Sequence, residues 1–427
     1  MPKLCGCIRK PDGARNADAE VYLNCYEAAK EISENSVRES SYYFAADLMK
    51  TLRKNRNSEK NMFFSPISAA ILLVVLLAGA NDETAQQIVQ ALFEKRTDDE
   101  KNEPGSVTSE GRIEKYFSYL AQGFKKLSEY GLLYAANKIY VPKSEDSAPR
   151  LNQDYTEKIN KLYNCTLESE NFNEPEKLMQ KINDLVAELT HGQIPEAVSL
   201  DDVMDPNTKP QKFYFSDGTE KDVEMMYQHI SYSTAEYAKN NEVEVIYLEY
   251  EPPESLVLDT DAWKDPLKTI AKPMAICVIL PRERYGLNTL MENMDGPQLV
   301  KWMQLSKRRA NLNIRLPKFK IENRNDLIPP LQQLGLREMF TNNADFTRAG
   351  LKNMKVTNAF QQAVLEIDEE GSTASAYTMM RMRMCGLYGD TPPTPTVDFT
   401  ADHAFAYIIL TGNGDCLFMG TYGESDT

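Results

Sequence analysis

The sequence is short of the groups on which catalysis usually draws. Only three histidines occur among 427 residues: His191, His229 and His403. None has a partner at metal-ligand or triad spacing. His191 sits in Thr190-His191-Gly192-Gln193, a loop signal, His229 follows Met225-Met226 on a strand pattern, and His403 precedes an apolar strand. Each reads as structural. No H-E-x-x-H, G-x-S-x-G or phosphate-loop pattern is present. Gly412 and Gly414 begin a dinucleotide fingerprint, but the third glycine is missing and a hairpin turn is the better reading. Carboxylates are abundant enough to leave a paired-acid site open, yet nothing points to one. The expectation is a protein that is not an enzyme and holds no cofactor or metal.

Basic charge is also scarce. Lys plus Arg number 48 against 63 Asp plus Glu, a formal charge of −15. That argues against nucleic acid, whose phosphates need a basic face, and against anionic lipid. Plain solubility accounts for the acidity. The longest apolar run, 67–80, holds 14 residues including Ser68. It is too short to span a bilayer and reads as a buried helix. The seven cysteines (Cys5, Cys7, Cys25, Cys165, Cys277, Cys385, Cys416) are odd in number and scattered. They suit free thiols in a reducing compartment better than a disulfide framework or a zinc site. Residues 1–11 carry Lys3, Arg9 and Lys10 without a hydrophobic stretch, unlike a secretory signal, and Pro2 excludes myristoylation. Cys5 and Cys7 leave palmitoylation open, an unstructured tail being the simpler reading. This start suits a cytoplasmic location, with an extracellular one left open. Asn164-Cys165-Thr166 is a glycosylation sequon that matters only on the secretory route.

What is there supports a sizeable core, with 42% apolar and 26% charged residues. Residues 1–36 lack clean periodicity and read as a flexible extension, and residues 37–427 as a single domain. Helical spacing appears at 40–52, 67–80 behind Pro66, 83–93, 113–127 and 175–189. Strand signals appear at 132–141, 223–226, 243–250, 274–280, 312–316 in strict alternation, and 356–367. The apolar runs 405–410 and 416–420 flank a Gly-rich turn, a hairpin signature. Helices come first and strands later, so the fold class is α+β rather than a parallel α/β sheet. Residues 251–272 and 385–395, rich in Pro and in acids or Gly, read as surface loops.

The unusual stretch is 368–385. It follows a strong strand directly, and Gly371 permits a hinge. Ser372, Ala374, Ala376 and Thr378 then alternate as a uniformly small face, which in an extended chain slips between neighbouring strands without clash. Arg381 and Arg383 follow between methionines. The plain interpretation is a strand running into a solvated loop. The functional one is protease-accessible bait able to become a strand.

In these residues the chain resembles the serpins, the serine protease inhibitor family. The likeness covers about Ser40 to Gly420. It is carried by Asn61-Met62-Phe63-Phe64-Ser65-Pro66-Ile67-Ser68, Ala136-Asn137-Lys138-Ile139-Tyr140-Val141, Leu316-Pro317-Lys318-Phe319, Ala401-Asp402-His403-Ala404-Phe405 and, most tellingly, Glu369-Glu370-Gly371-Ser372. The resemblance implies three β-sheets, about nine helices and a metastable fold with an exposed reactive loop over about 369–398. It implies a monomer that inhibits a serine protease as a suicide substrate: the protease acylates itself on the loop, and the cut loop enters the main sheet as a new strand. The hinge would be Glu369, Glu370, Gly371, Ser372, Thr373, Ala374, Ser375 and Ala376. The family's usual spacing puts the scissile residue near Cys385, with Arg383, Arg381, Met384 and Gly386 as the other candidates. Arg383 is preferred and favours a trypsin-like target, because an acidic specificity pocket grips a guanidinium bidentately. Met or Cys there would suit chymotrypsin- or elastase-like enzymes. A non-inhibitory binder, carrier or chaperone, or an inactive splice form, is the alternative.

Two departures from the family pattern stand out. After 200–205 the chain passes almost at once to Lys212-Phe213-Tyr214-Phe215, so one central strand of the main sheet, with its Asn and a nearby Trp, is missing. The two tryptophans, Trp263 and Trp302, lie elsewhere. Without that strand the sheet either closes 356–367 onto 132–141 or leaves an open cleft, and an open edge is a liability. The second departure is Gln361, where the family usually has His. The hydrogen-bonded cluster under the sheet would keep Ser65 and Ser68 but lose that Asn and His.

Overall fold

The computed structural model describes residues 36–55, 61–94, 109–129, 137–142, 151–170, 181, 184, 209–230, 235–250, 274–303, 305, 308–368, 371–372 and 396–424. The extension 1–35, the helix expected at 175–189 apart from Lys181 and Asp184, both predicted surface loops, His191 and Trp263 lie outside them. Among the described residues are eight α-helices: α1 (Ser36–Asn55), α2 (Pro66–Gly79), α3 (Asp82–Val89), α4 (Ser109–Glu129), α5 (Gln153–Tyr163), α6 (Leu287–Asn293), α7 (Gly296–Met303) and α8 (Ile328–Gln333). The central one is α2. Its cap is Ser65, whose side chain accepts from the Ser68 N–H, and Pro66 takes a first-turn place where no N–H is needed. Ten of its residues are buried and they lie on every side, the pattern of a helix enclosed by protein. The segment expected as one helix over 83–93 is α3 followed by a π-helical turn, Gln90–Glu94.

A seven-stranded sheet forms the largest layer. Its strands are β1 (Met62–Phe64), β16 (Cys416–Tyr422), β15 (Phe405–Leu410), β8 (Ala275–Pro281), β7 (Val243–Glu249), β6 (Ala235–Lys239) and β9 (Arg308–Arg309), in that order. β8 and β15 are buried at every position, which the sequence shows as unbroken apolar runs. The hairpin expected at 411–415 joins β15 to β16. β1 reaches β16 closely at Gly420, where an added Cβ would lie 2.3 Å from the Met62 carbonyl. A four-stranded sheet has the order β14 (Thr396–Thr400), β10 (Asn311–Pro317), β5 (Glu220–Ile230), β4 (Lys209–Tyr214).

The strands expected to build one main sheet form two pieces. β11 (Phe319–Asp326), β12 (Phe360–Asp368) and β13 (Gly371–Ser372) make one, and β2 (Asn137–Pro142) with β3 (Cys165–Glu170) the other. Among the described residues β12 and β2 do not pair. Of the two closures expected for the missing strand, direct pairing is therefore not the one seen. β12 also starts four residues later than its sequence signal. The backbone just before it is engaged elsewhere: Val356 donates to the Met339 carbonyl and Ala359 accepts from Leu327.

Cys165, Cys277 and Cys416 are buried free thiols. Burial pushes the Cys165 thiol up to about 12 and holds Cys416 above its ordinary value as well. Thiolate is the reactive form, so these cysteines should be inert in the folded chain. Labelling the native protein with a water-soluble disulfide reagent at about pH 8 should leave all three unmodified until denaturant is added. Rapid modification of any of them in peptide maps would contradict the packing.

Candidate functional site

The strand leading into the predicted bait is β12. Along one side it pairs with β11 from Phe319↔Ile367 to Asp326↔Phe360. Along the other, β13 folds back so that Ser372 faces Ile367 and Gly371 faces Asp368. The rest of that edge, Phe360 to Glu366, has no strand partner among the described residues. The hinge thus begins with a short antiparallel return against its own strand. Of the expected hinge residues, Gly371 and Ser372 are placed in this way. Glu369, Glu370, Thr373, Ala374, Ser375 and Ala376, and the scissile candidates Arg381, Arg383, Met384, Cys385 and Gly386, lie outside the described residues. The chain returns at Thr396, where β14 runs parallel to β10.

Beneath β12 lie Ser65, Ser68 and Gln361. Ser65 Oγ donates to the Leu417 carbonyl at 2.8 Å and lies 3.0 Å from Ser68 Oγ. Gln361, which stands where the family usually has His, bonds the Ser65 backbone. Its Oε1 accepts from the Ser65 N–H at 2.8 Å and its Nε2 donates to the Ser65 carbonyl at 2.9 Å. Two residues missed in the sequence extend the grip. Asn323 Oδ1 accepts from the Phe63 N–H at 2.5 Å, and Asn325 Nδ2 donates to the Phe63 carbonyl at 3.1 Å. Three side-chain amides from β11 and β12 therefore take the place of a neighbouring strand along β1, whose opposite edge pairs with β16. The spacing was the available signal: asparagines at 323 and 325 of a strand point to one face.

A second buried polar centre, also missed, sits at the β15–β16 turn. Asp415 is fully buried. It accepts from Arg38 Nε at 2.8 Å, Tyr116 OH at 2.7 Å and Thr411 Oγ1 at 2.9 Å. Burial opposes the Arg38 charge, but the Asp415 carboxylate outweighs it and raises the guanidinium above its ordinary value. Burial and the same carboxylate push the Tyr116 phenol up. These contacts tie α1 and α4 to the hairpin.

The two described histidines differ. His403 is buried, with Nδ1 2.7 Å from Asp402 Oδ1 and Nε2 2.7 Å from the Pro281 carbonyl. The hydrogen bond to His403 holds the Asp402 carboxyl below its usual range. His229 is exposed on β5, its Nδ1 2.8 Å from Asn313 Oδ1. No described His, Cys, Asp and Glu converge in a group able to hold a metal ion.

With this arrangement in view, the comparisons with known proteins agree. The family model of the serpins (serine protease inhibitors) matches residues 39–208 and 201–424. The chain belongs to the serpin family. The two matched parts meet at 201–208, where the sequence places the missing strand. Serpin B3 of Homo sapiens is 28% identical over 419 residues, covering 91% of this chain and 100% of that protein. A leukocyte elastase inhibitor of Bos taurus is 26% identical over 407 residues, covering 88% and 96%. Among solved structures, thyroxine-binding globulin in complex with thyroxine superposes with a TM-score of 0.67 at 21% identity, covering 91% of this serpin and 99% of that chain. At that identity the likeness concerns the fold alone.

Proposed function

We infer that this serpin engages serine proteases as a suicide-substrate inhibitor, with residues 369–398 as the bait and a trypsin-like enzyme as the favoured target. The observation that carries this reading is the hinge. A strand whose outer edge from Phe360 to Glu366 has no strand partner among the described residues leads straight into Gly371 and Ser372, followed by a run of small residues that fits such an edge. Arg383, and next to it Arg381, are the side chains an acidic specificity pocket would hold. The family's description and the inhibitor name of the Bos taurus relative support the same class. No catalytic group is required of this chain, because the protease supplies the chemistry.

The split between β2–β3 and β11–β12–β13 favours a second outcome at the same site. An inserted strand is fully satisfied only if both of its edges find partners. Here the edge offered by β12 is present, while the strand that would wall the other side is missing. Most encounters then end as a cut loop with few trapped complexes, and in the limit the chain is a substrate or a binder. Incubation with trypsin, chymotrypsin and elastase, followed by a denaturing gel and mass spectrometry, tests the reading. It expects a cut within 380–385 and a faint covalent adduct, and it fails if the first cut falls in 251–272.

Insertion also makes the small hinge face sensitive to charge. Ala374→Glu would carry a carboxylate into a packed sheet, where an unpaired charge costs several kcal/mol. The variant should lose the faint adduct altogether while the loop is cut as fast as before. An unchanged adduct yield would mean that the loop does not insert.

A further inference from the structure

The turn between α5 and β3 carries the only Asn-x-Ser/Thr triplet of the chain, Asn164-Cys165-Thr166, and inhibition makes no use of it. α5 ends at Tyr163. Asn164 then takes a left-handed conformation, φ 48° and ψ 38°, while its backbone N–H still donates to the Asn160 carbonyl at 3.1 Å. Asparagine is the residue that most readily replaces glycine at such a helix end. That duty occupies the backbone and leaves the side chain idle. From here the alternation of β3 takes over. Cys165 is fully buried, while Asn164 before it and Thr166 after it are both exposed. Among the described residues no hydrogen bond engages the Asn164 amide or the Thr166 hydroxyl. The asparagine at the opposite end of α5 is different. Asn152 accepts from the Asp154 N–H at 3.0 Å and donates to the Arg348 carbonyl at 3.1 Å, so its amide is committed to the fold.

We propose that Asn164 is an attachment site for an N-linked oligosaccharide. The co-reactant is an oligosaccharide carried on a lipid diphosphate. A bond forms between Asn164 Nδ2 and the anomeric carbon of the first sugar, and the bond from that carbon to the diphosphate oxygen breaks. The lipid diphosphate leaves with the electron pair, and the amide proton passes to a base of the transferase. The Thr166 hydroxyl, on the same side of the chain, is the second group that such an enzyme reads. The finished fold leaves both groups in water, so the sugar needs no rearrangement of α5 or β3. The core thiols are compatible with the oxidising route on which this transfer takes place. Cys165, Cys277 and Cys416 are buried, and burial holds the thiols of Cys165 and Cys416 above their ordinary values. The thiolate that would exchange into a disulfide is therefore withheld in the folded chain. Within the triplet itself the thiol points into the core and the acceptor amide out of it.

The test is to synthesise the full chain behind a cleavable secretory leader in cells that make N-linked glycans. Four forms are compared: the parent, Asn164→Gln, Thr166→Ala and Thr166→Ser. Chain from the medium and from the membrane-enclosed fraction of the lysate is run on a denaturing gel before and after treatment with peptide-N-glycosidase, and mapped by mass spectrometry. Most of the parent should run slow, return to the peptide mass on treatment and then show aspartate at position 164. Asn164→Gln and Thr166→Ala should lose the shift completely, while Thr166→Ser keeps it because the hydroxyl is retained. Circular dichroism should be the same for all four once the sugar is removed, so that the loss is not one of folding. A parent chain that reaches the membrane-enclosed fraction without sugar overturns the site, and so does a shift that persists in Asn164→Gln. The bait reading stands or falls separately.

Discussion

Trypsin should open the native chain first between Met380 and Cys385, and removing both arginines should nearly abolish that cut. Arg381 and Arg383 are the only charged side chains from Gly371 to Leu387. A pocket built around an anion to hold a guanidinium leaves that anion unpaired when alanine arrives, and sites of this kind reject the lesser substrate by about 10⁴-fold or more. Arg381→Ala with Arg383→Ala should therefore lower the rate of first cleavage by trypsin by about that factor, while chymotrypsin, reading methionine nearby, loses little. Arg383→Ala alone should have the larger single effect. Mass spectrometry of the first fragments decides the matter. A double variant opened by trypsin at the parent rate would remove the arginines from target choice.

The second large effect lies far from the loop. Asp415→Ala removes the one carboxylate shared by Arg38, Tyr116 and Thr411, a side chain that is itself fully buried. The hydrophobic groups around it cannot replace those bonds, and the partly buried Arg38 loses its ion-pair partner among the described residues. Breaking a buried pair from one side costs about 3–5 kcal/mol. Asp415→Asn keeps the shape and one acceptor, and should cost about 1–3 kcal/mol. Urea unfolding followed by circular dichroism would show both as lower midpoints, in that order. Equal midpoints for Asp415→Ala and the parent would contradict the role assigned to this carboxylate.

How much of this was legible beforehand depended on whether a feature repeats along the chain. The alternation of Leu312, Ile314 and Leu316 shows β10, and the apolar runs either side of a Gly-rich turn show the β15–β16 hairpin, because burial of a strand face acts on every second residue. The enclosed helix α2 was equally plain from its unbroken apolar run. Isolated polar contacts leave no such trace. Asp415 looks like a turn residue, and only the packing of α1 and α4 turns it into a buried anchor. That the Gln361 amide reaches both backbone groups of Ser65 could not be read from a single position that departs from the family's His. The start of β12 was misplaced for a related reason: 356–359 is apolar enough for a strand, but the neighbouring turns take part of its backbone bonding. The missing strand, in contrast, was readable as a gap in an ordered series of family segments. Among the described residues the strands expected in one sheet lie in two.

That split can be tested by heat. An inserted loop strand that pairs on both sides adds a full ladder of hydrogen bonds and buries a row of side chains, so nicking would raise the thermal midpoint by an amount on the order of tens of degrees. With β12 as the only described edge beside the hinge, most of that gain is unavailable. The measurement is the thermal midpoint of the chain before and after a single cut within 380–385, followed by circular dichroism. A split sheet predicts midpoints that differ by a few degrees at most, on the order of what about 1 kcal/mol produces. A rise of tens of degrees would mean that the cut loop finds two edges after all, and would contradict the split.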